Sequence, residues 1–186
     1  IKLIANTNNF DATAATFGGK TGATATLAEN FAIEDKIVHK VDNASLGLVR
    51  VKAAEIFATT NSGSIQRAVD AATAADIVNV RSGTYNENVN VNKSLTLHGP
   101  NAGISPNGGT RVAEAILAPS GKSLKIDTEN TDVTISGFKF YESGAIANKN
   151  NTTPNTSTVT LNKNWIEKSL LVFVENNTSW KDLTIN

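Results

Sequence analysis

The chain has 186 residues, which is enough for one sizeable hydrophobic core. Hydrophobic residues make up 40% of it, which is typical of a globular protein and excludes wholesale disorder. Charged residues make up only 18% and the formal net charge is zero, so the chain lacks the basic surface of a nucleic-acid-binding protein. The absence of cysteine excludes a disulfide framework, a cysteine-ligated zinc ion and a cysteine nucleophile.

No run of about 18 apolar residues occurs, so we predict no membrane-spanning segment. The sequence also lacks the positively charged start and the following apolar stretch that would indicate a signal peptide. The chain contains no methionine and begins at Ile1, and we therefore interpret it as a processed or excised piece.

Residues 1–26 are small, polar and rich in Gly, Thr and Ala. This composition predicts an extended polar arm or linker, with at most a short strand at 1–4. Two interpretations stay open for this arm: a flexible linker, or a strand docked on another part of the molecule.

Residues 27–63 are predicted to form an N-terminal helix that leads into a strand. In the segment 27–43, Phe31 and Val38 lie near one face of a helix while acidic and basic side chains mark the other. Gly47 then follows as a plausible terminator, and a strand-like stretch comes after it.

A second short helix is predicted over 64–75, with Ser64 as its N-cap. Beyond this helix the apolar period changes from about 3.6 to 2 residues, which indicates strands. Four later strands share an aliphatic-Thr-aliphatic core, with the threonines at Thr96, Thr134, Thr160 and Thr184. Further short strands are predicted between them, at 114–118, 123–127, 138–140, 165–167 and 170–175.

An irregular repeat of roughly two dozen residues, with two or three short strands in each, is typical of a β-solenoid. A sandwich would normally show Asn-Gly or Asp-Gly hairpin turns between its strands. Here the single Asn-Gly pair, Asn107-Gly108, lies inside a long loop. We therefore predict an all-β parallel β-helix over 64–186, with the helix at 64–75 capping one end.

The segment 64–103, SIQRAVDAATAADIVNVRSGTYNENVNVNKSLTLHGPNAG, resembles the opening of right-handed parallel β-helix domains of the pectin-lyase-like superfamily. The shared features are the short IQ-containing helix, the G-T-Y-x-E-x-V segment at 83–89, the L-T-L-x-G strand at 95–99 and the V-T-I-S-G-F strand at 133–138. The resemblance implies a right-handed β-helix with a short helical cap, preceded by a small α/β or extended N-terminal segment.

The preceding stretch IEDKIVHKVDNASLGLVRV is similar to segments that precede such helices in very large exported bacterial surface proteins. This second resemblance implies an extracellular or cell-surface location.

The superfamily includes polysaccharide hydrolases. If this chain were one of them, the resemblance implies that it would contain an Asp-Asp pair, a Gly-His-Gly and an Arg-x-Lys. Two carboxylates are needed because one protonates the leaving oxygen while the other activates water. The chain has neither of the first two motifs, and its Arg50-Val51-Lys52 precedes the predicted solenoid. His98 is a lone histidine and is expected to be structural, and His39, placed in the first helix, has no evident partner. We therefore predict no catalytic and no cofactor-binding residue.

Lyases of this superfamily use acidic residues that bind calcium, together with an Arg or Lys base. Asp127, Glu129 and Asp132 lie close together and are the best candidate calcium ligands, while a solvated turn is the simpler explanation of these residues. Arg111 and Lys125 could act as a base only if they reached the same face. Apart from calcium, no cofactor is implied.

These features favour a non-catalytic extracellular structural or adhesive module, such as part of a surface layer, a fibre or an adhesin. Its expected partners are further copies of itself or other surface proteins, contacted through the N-terminal arm or the solenoid ends. The alternative is the N-terminal part of a polysaccharide lyase or glycoside hydrolase, or a carbohydrate-binding β-helix, with polysaccharide as partner. No cap is visible in the sequence after the last strand, so this end is expected either to continue in a longer protein or to be covered by another subunit.

Overall fold

The computed structural model describes residues 2–121, 123–126, 131–141, 144–148, 158–167, 170–174 and 182–186. The described residues contain two α-helices, α1 (Leu27–Glu34) and α2 (Ile65–Ala71). The strands of the N-terminal part are β1 (Leu3–Ile4), β2 (Phe10–Asp11), β3 (Ile37–Val38), β4 (Val49–Arg50) and β5 (Glu55–Ala58). The remaining strands are β6 (Ile77–Val80), β7 (Gly83–Tyr85), β8 (Val89–Val91), β9 (Leu95–His98), β10 (Ala115–Leu117), β11 (Leu124–Ile126), β12 (Asp132–Ser136), β13 (Phe138–Tyr141), β14 (Gly144–Asn148), β15 (Thr158–Asn162), β16 (Trp165–Glu167), β17 (Leu170–Val174) and β18 (Asp182–Ile185).

Most of the strands form three parallel sheets. The first sheet has the order β7-β10-β13-β16, the second β8-β11-β14-β17, and the third β5-β6-β9-β12-β15-β18. From β7 onward, the strands fall into groups of three along the chain. The first strand of each group joins the first sheet, the second joins the second sheet and the third joins the third sheet. We call such a set of three strands a layer. The prediction of a mostly β fold is confirmed, and its sheets are parallel.

The threonines of the aliphatic-Thr-aliphatic strands share one register position. Thr96 pairs with Thr134, Thr134 with Thr160, and Thr160 with Thr184. Because side chains alternate between the two faces of a strand, the aliphatic neighbours of each threonine point to the opposite face. The inner row next to the threonines consists of Leu97, Ile135, Leu161 and Ile185.

The apolar faces of the three sheets enclose one core. Leu97, Ile126 and Phe140, which come from three different sheets, are each at most 1% exposed and belong to the same buried cluster. Helix α2 adds Ile65 and Val69 to that cluster and contacts β5, β6 and β8. It therefore covers the end of the core that lies at the first strands.

The N-terminal part builds a second core on the outer side of β5. In that strand Phe57 points away from the main core and meets Phe31 of α1 edge to face, with ring centroids 5.7 Å apart. Strand β1 pairs with β3, and β2 pairs with β4, all in parallel. Two short segments of the arm, Leu3–Ile4 and Phe10–Asp11, are thus docked as strands on the same chain. We call residues 2–52 the N-terminal unit.

The helix predicted through residue 43 is wrong in its length, because α1 ends at Glu34. Residues Ile37–Val38 instead form β3 and pair with β1. Of the residues that suggested one long apolar helix face, Phe31 lies in the second core, Val41 lies in the main core, and Val38 is only partly buried. A periodicity of apolar residues cannot distinguish one long helix from a helix followed by a strand without knowledge of the pairing partner.

Candidate functional site

The structure describes one of the three candidate calcium ligands. Asp132 is exposed at the start of β12, and its backbone amide donates to the Ser94 hydroxyl at 3.0 Å. Asp127 and Glu129 lie outside the described residues. The described residues therefore do not assemble a calcium site around Asp132.

Arg111, a candidate base, is held by contacts within its own loop and with Lys163, between β15 and β16. Its Nε and Nη2 donate to both carboxylate oxygens of Glu114, at 2.6 and 2.9 Å. Its Nη1 donates to the carbonyl oxygens of Ile104 and Lys163, at 2.8 and 3.0 Å. A guanidinium committed in this way positions the loop between β9 and β10. Lys125, the other candidate base, lies on β11 in the second sheet.

The Arg-x-Lys motif forms ion pairs that join the N-terminal unit to the third sheet. Arg50 Nη2 contacts Asp76 Oδ2 at 2.7 Å, and Lys52 Nζ contacts Glu55 Oε1 at 2.7 Å. Burial would raise the pKa of Asp76, but hydrogen bonds from Arg50 and Thr73 outweigh it and hold that pKa below its ordinary value. These pairs have a structural role.

His98 is half-buried in a polar row on the outer side of the third sheet. It pairs in register with Asn79 on one side and Ser136 on the other. Burial lowers the pKa of His98, and the negative charge of Glu55 opposes this shift only in part. Asn79 in turn donates to Glu55 at 2.8 Å. Ser136 donates to the Ala102 carbonyl at 3.0 Å, so both register neighbours of His98 bind other residues.

One cluster of potential metal ligands occurs within the described part of the chain, and sequence reasoning missed it. Ligand atoms of Glu34, His39 and Asp42 lie within 4.8 Å of one another. His39 Nε2 contacts Glu34 Oε1 at 2.5 Å, and the backbone amide of His39 donates to Asp42 Oδ2 at 3.0 Å. His39 escaped notice because it lies beyond the true end of α1. There it turns back toward Glu34.

The hydrogen bonds of this cluster oppose metal binding. The Val49 amide donates to His39 Nδ1 at 3.0 Å. An amide N–H can only donate, so Nδ1 is unprotonated and the ring proton of the neutral imidazole lies on Nε2, facing Glu34. A metal ion at Nε2 would move that proton to Nδ1, against the Val49 N–H. Burial raises the pKa of Glu34, while the hydrogen bond from His39 lowers it less strongly. We therefore assign the cluster a structural role.

Helix α2 is held at both ends by residues of the neighbouring layer. The Glu87 carboxylate accepts hydrogen bonds from the Ser64 hydroxyl at 2.6 Å and from the Ile65 amide at 2.8 Å. At the other end, Lys93 Nζ donates to the carbonyl oxygens of Val69 and Ala72, at 3.1 and 2.9 Å. A negative group at the N-terminus and a positive group at the C-terminus both stabilise a helix.

A glutamine joins α2 to β8. Gln66 Oε1 accepts from the Asn90 amide at 2.5 Å, and its Nε2 donates to the Asn90 carbonyl at 3.1 Å. The side chain thus pairs with β8 as the backbone of another strand would. The IQ and G-T-Y-x-E-x-V segments that carry the sequence resemblance therefore meet in the structure.

Some of the exposed apolar side chains among the described residues lie close together. The N-terminal patch consists of Leu3, Ile4 and Phe10, which are 53%, 70% and 61% exposed around a groove of about 280 Å³. Leu27 and Val112, 48% and 55% exposed, line another groove of about 340 Å³. Two further exposed apolar residues lie on different sheets, Trp165 (43%) on β16 and Ile185 (54%) on β18. Isolated exposed apolar residues are ordinary, but groups of them mark contact surfaces.

A larger cleft of about 450 Å³ lies beside α1 and is lined by Phe17, Ala25 and Ile33. Its ion pair, Lys20 with Glu29, is part of the N-terminal capping of α1, because Glu29 also accepts from the Thr26 amide at 2.8 Å. The Lys20–Glu29 pair of this cleft is therefore explained by the capping of α1.

Comparison with known proteins found no matching family model, no matching curated protein and no matching solved structure. The resemblance to pectin-lyase-like β-helices therefore stays a prediction. Neither helix of the described residues is long and apolar enough to cross a membrane.

Proposed function

We propose that the protein is a non-catalytic extracellular structural or adhesive module, built as a right-handed parallel β-helix that self-associates. One observation carries the proposal: Thr96, Thr134, Thr160 and Thr184 stand in one row across four layers. Layers that repeat in the same order, pair in parallel and share one core are what a β-helix requires.

The chemistry of this row supports a structural role. Stacked hydroxyl groups can lie next to each other without the repulsion that stacked like charges would cause. The charged side chains that sequence reasoning connected with catalysis are engaged elsewhere: Arg111 binds Glu114 and Arg50 binds Asp76. These ion pairs are consistent with a structural role for both arginines.

The proposed extracellular location has separate support. The chain is neutral overall and rich in Asn and Thr, which suits an uncharged outer wall. The resemblance of its N-terminal part to segments of exported surface proteins points to the same location.

Catalysis is tested by incubating the purified chain with uronate and neutral polysaccharides, with and without calcium. We expect no release of unsaturated or reducing ends. Release that scales with protein concentration, and that Arg111→Lys reduces, would overturn the non-catalytic proposal. Glycan arrays address the adhesive role: saturable binding of one glycan class would identify a ligand for the module.

Calcium is tested by thermal unfolding. If Asp127, Glu129 and Asp132 bind calcium together, the unfolding midpoint is higher in millimolar calcium than in EDTA, and Asp132→Asn abolishes the difference. Equal midpoints in calcium and in EDTA would contradict the calcium prediction.

A further inference from the structure

Residues 99–114 connect β9 to β10, and we call them the long loop. Asn101 closes this loop at its base. It is 0% exposed, its Nδ2 donates to the Val112 carbonyl at 3.0 Å, and its Oδ1 accepts from the Val112 amide at 2.8 Å. The Ser136 hydroxyl also donates to the Ala102 carbonyl at 3.0 Å, which ties this side of the loop to β12.

Arg111 fixes the long loop at a second point. Besides Glu114, its guanidinium binds the carbonyl oxygens of Ile104 and Lys163, at 2.8 and 3.0 Å. Both sides of the loop are therefore anchored below residues 105–109, which we call the loop tip.

The loop tip is exposed along its whole length and is lightly held. The Asn107 amide donates to the Ser105 hydroxyl at 3.3 Å, and the Gly109 amide donates to the Ser105 carbonyl at 3.2 Å, so both hydrogen bonds are long. In the described part of the chain, neither the Asn107 side chain nor the Gly108 amide has a hydrogen-bond partner. A Cβ atom added to Gly108 would meet no atom within 4 Å. The tip is therefore free to change its backbone conformation.

An asparagine followed by a glycine brings together two groups that react with each other. The Gly108 backbone nitrogen attacks Asn107 Cγ, and the new C–N bond closes a succinimide ring. The side-chain nitrogen leaves as ammonia and takes up the proton of the Gly108 amide. Water then opens the ring at either carbonyl and leaves aspartate or isoaspartate. The sum is asparagine plus water giving a carboxylic acid plus ammonia, with no oxidant or reductant.

The loop tip favours this reaction and the loop base prevents it. Glycine has no Cβ atom to restrict the rotation that brings its nitrogen to the side chain, and the two long hydrogen bonds to Ser105 are all that the turn must open. Asn101 is the contrast in the same loop, because it is buried, both polar atoms of its amide are bonded, and Ala102 follows it. We propose that Asn107 deamidates spontaneously in the folded protein and that the anchors confine the change to the loop tip.

Deamidation changes the charge of the surface. It adds one negative charge to a chain whose formal net charge is zero, and the loop tip contains no charged residue to compensate it. An isoaspartate also lengthens the backbone by one carbon atom. The exposed tip absorbs this change, because Asn101 and Arg111 hold the loop on both sides. The reaction does not depend on the proposed structural role, since it needs only the loop and water.

The test follows the purified, folded protein during weeks of incubation at mildly alkaline pH. We expect isoelectric focusing to show a growing band that is more acidic by one charge. Trypsin cleaves after Lys93 and Arg111, so the peptide 94–111 contains both asparagines of the long loop. Fragmentation of this peptide in a mass spectrometer should place the conversion of amide to acid at Asn107 and leave Asn101 unchanged.

Two variants change the reacting groups. For Gly108→Ala we expect the reaction to slow by about two- to fivefold, because a Cβ atom restricts the backbone rotation at the attacking nitrogen. For Asn107→Gln we expect the acidic band to be absent over the same period, because the longer side chain would have to close a larger ring. Asn92→Gln, at an exposed asparagine that Lys93 follows, is the matched control and should leave the band as it is. The unfolding midpoint of the aged protein should equal that of the fresh protein.

Three results would overturn the proposal. The first is the absence of an acidic band over a period in which the free peptide 94–111 deamidates. The second is an acidic band that either Gly108→Ala or Asn107→Gln leaves unchanged. The third is a lower unfolding midpoint for the deamidated protein, which would show that the change reaches beyond the loop tip.

Discussion

His39 Nε2 donates a hydrogen bond to Glu34 Oε1 at 2.5 Å, and the two side chains are only 1% and 5% exposed. The pair joins the end of α1 to the start of β4, because His39 Nδ1 also accepts from the Val49 amide. The imidazole of His39 thus holds together the end of α1, the segment after β3 and the start of β4. A buried group with two such hydrogen bonds specifies a unique packing, and its carboxylate partner makes stability depend on pH.

The first prediction concerns this pH dependence. Burial raises the pKa of Glu34 above its ordinary value of 4.5, so the folded protein holds this proton more tightly than the unfolded chain does. The stability that results is fully present below pH 4.5 and is lost as the pH rises through the pKa of the folded state. Glu34→Gln still accepts from His39 and cannot ionise. We therefore expect Glu34→Gln to have the larger free energy of unfolding as the pH rises above 4.5. The difference from the unchanged protein should grow to about 1.4 kcal/mol for each pH unit by which the pKa of Glu34 is raised.

Urea unfolding of both proteins between pH 4 and pH 8 measures this difference in the free energy of unfolding. Asp70→Asn, an exposed carboxylate on α2, is the control and should follow the unchanged protein. If the free energies of unfolding of Glu34→Gln and the unchanged protein changed with pH in the same way, the prediction would be wrong.

The second prediction concerns the N-terminus of α2. Glu87→Ala removes the acceptor of the Ser64 hydroxyl and of the Ile65 amide, and we expect a loss of about 1–2 kcal/mol in the free energy of unfolding. Glu87→Gln keeps an oxygen acceptor but not the charge, so its loss should be smaller. Chemical denaturation measures both. Equal stability of Glu87→Ala and the unchanged protein would show that the carboxylate does not stabilise the cap.

The third prediction compares two neighbouring residues of β12. Ile135 is 0% exposed and lies in the main core, whereas Thr134 is partly exposed in the threonine row. We expect Ile135→Ala to cost about 2–5 kcal/mol, because a cavity forms between layers. Thr134→Ser keeps the hydroxyl group and should change the free energy of unfolding by about 0.5 kcal/mol or less. If the two variants were equally destabilised, the assignment of the two faces of β12 would be wrong.

The fourth prediction concerns Gly137, between β12 and β13. Its φ is +77°, and a Cβ atom there would lie 2.0 Å from the Ala102 amide nitrogen. Gly137→Ala must therefore strain the backbone and push away the loop between β9 and β10, which we expect to cost about 1–3 kcal/mol. Gly108→Ala, where no atom lies within 4 Å of the added Cβ, is the control and should be close to neutral. Thermal unfolding of the two variants distinguishes these effects.

Local sequence patterns predicted much of the strand content because a half-buried strand has a short, regular signature. An apolar residue on either side of a threonine indicates which face of the strand is buried, whichever strand it pairs with. This is why the row of Thr96, Thr134, Thr160 and Thr184 could be located from the sequence. Helix α2 was similarly visible from Ser64 and the 3.6-residue period that follows it.

The candidate functional residues could be judged only in the folded molecule. Arg111 looked like a possible base until its guanidinium was found on Glu114 and two carbonyl oxygens. His39 seemed to have no partner until α1 was found to end at Glu34. In both cases the deciding contact depends on how the chain turns between elements, which periodicity does not encode.

The sequence by itself determined the alternation of apolar and polar residues in the strands, the position of the threonine row and the neutral character of the surface, since these depend on residue type and spacing alone. Only the tertiary structure decided the sheet order, the second core between Phe31 and Phe57, and the exposure of Ile185 in an otherwise buried row. The physical reason is that burial is a property of neighbours. A side chain becomes core or contact surface according to which distant segment the folded backbone places beside it.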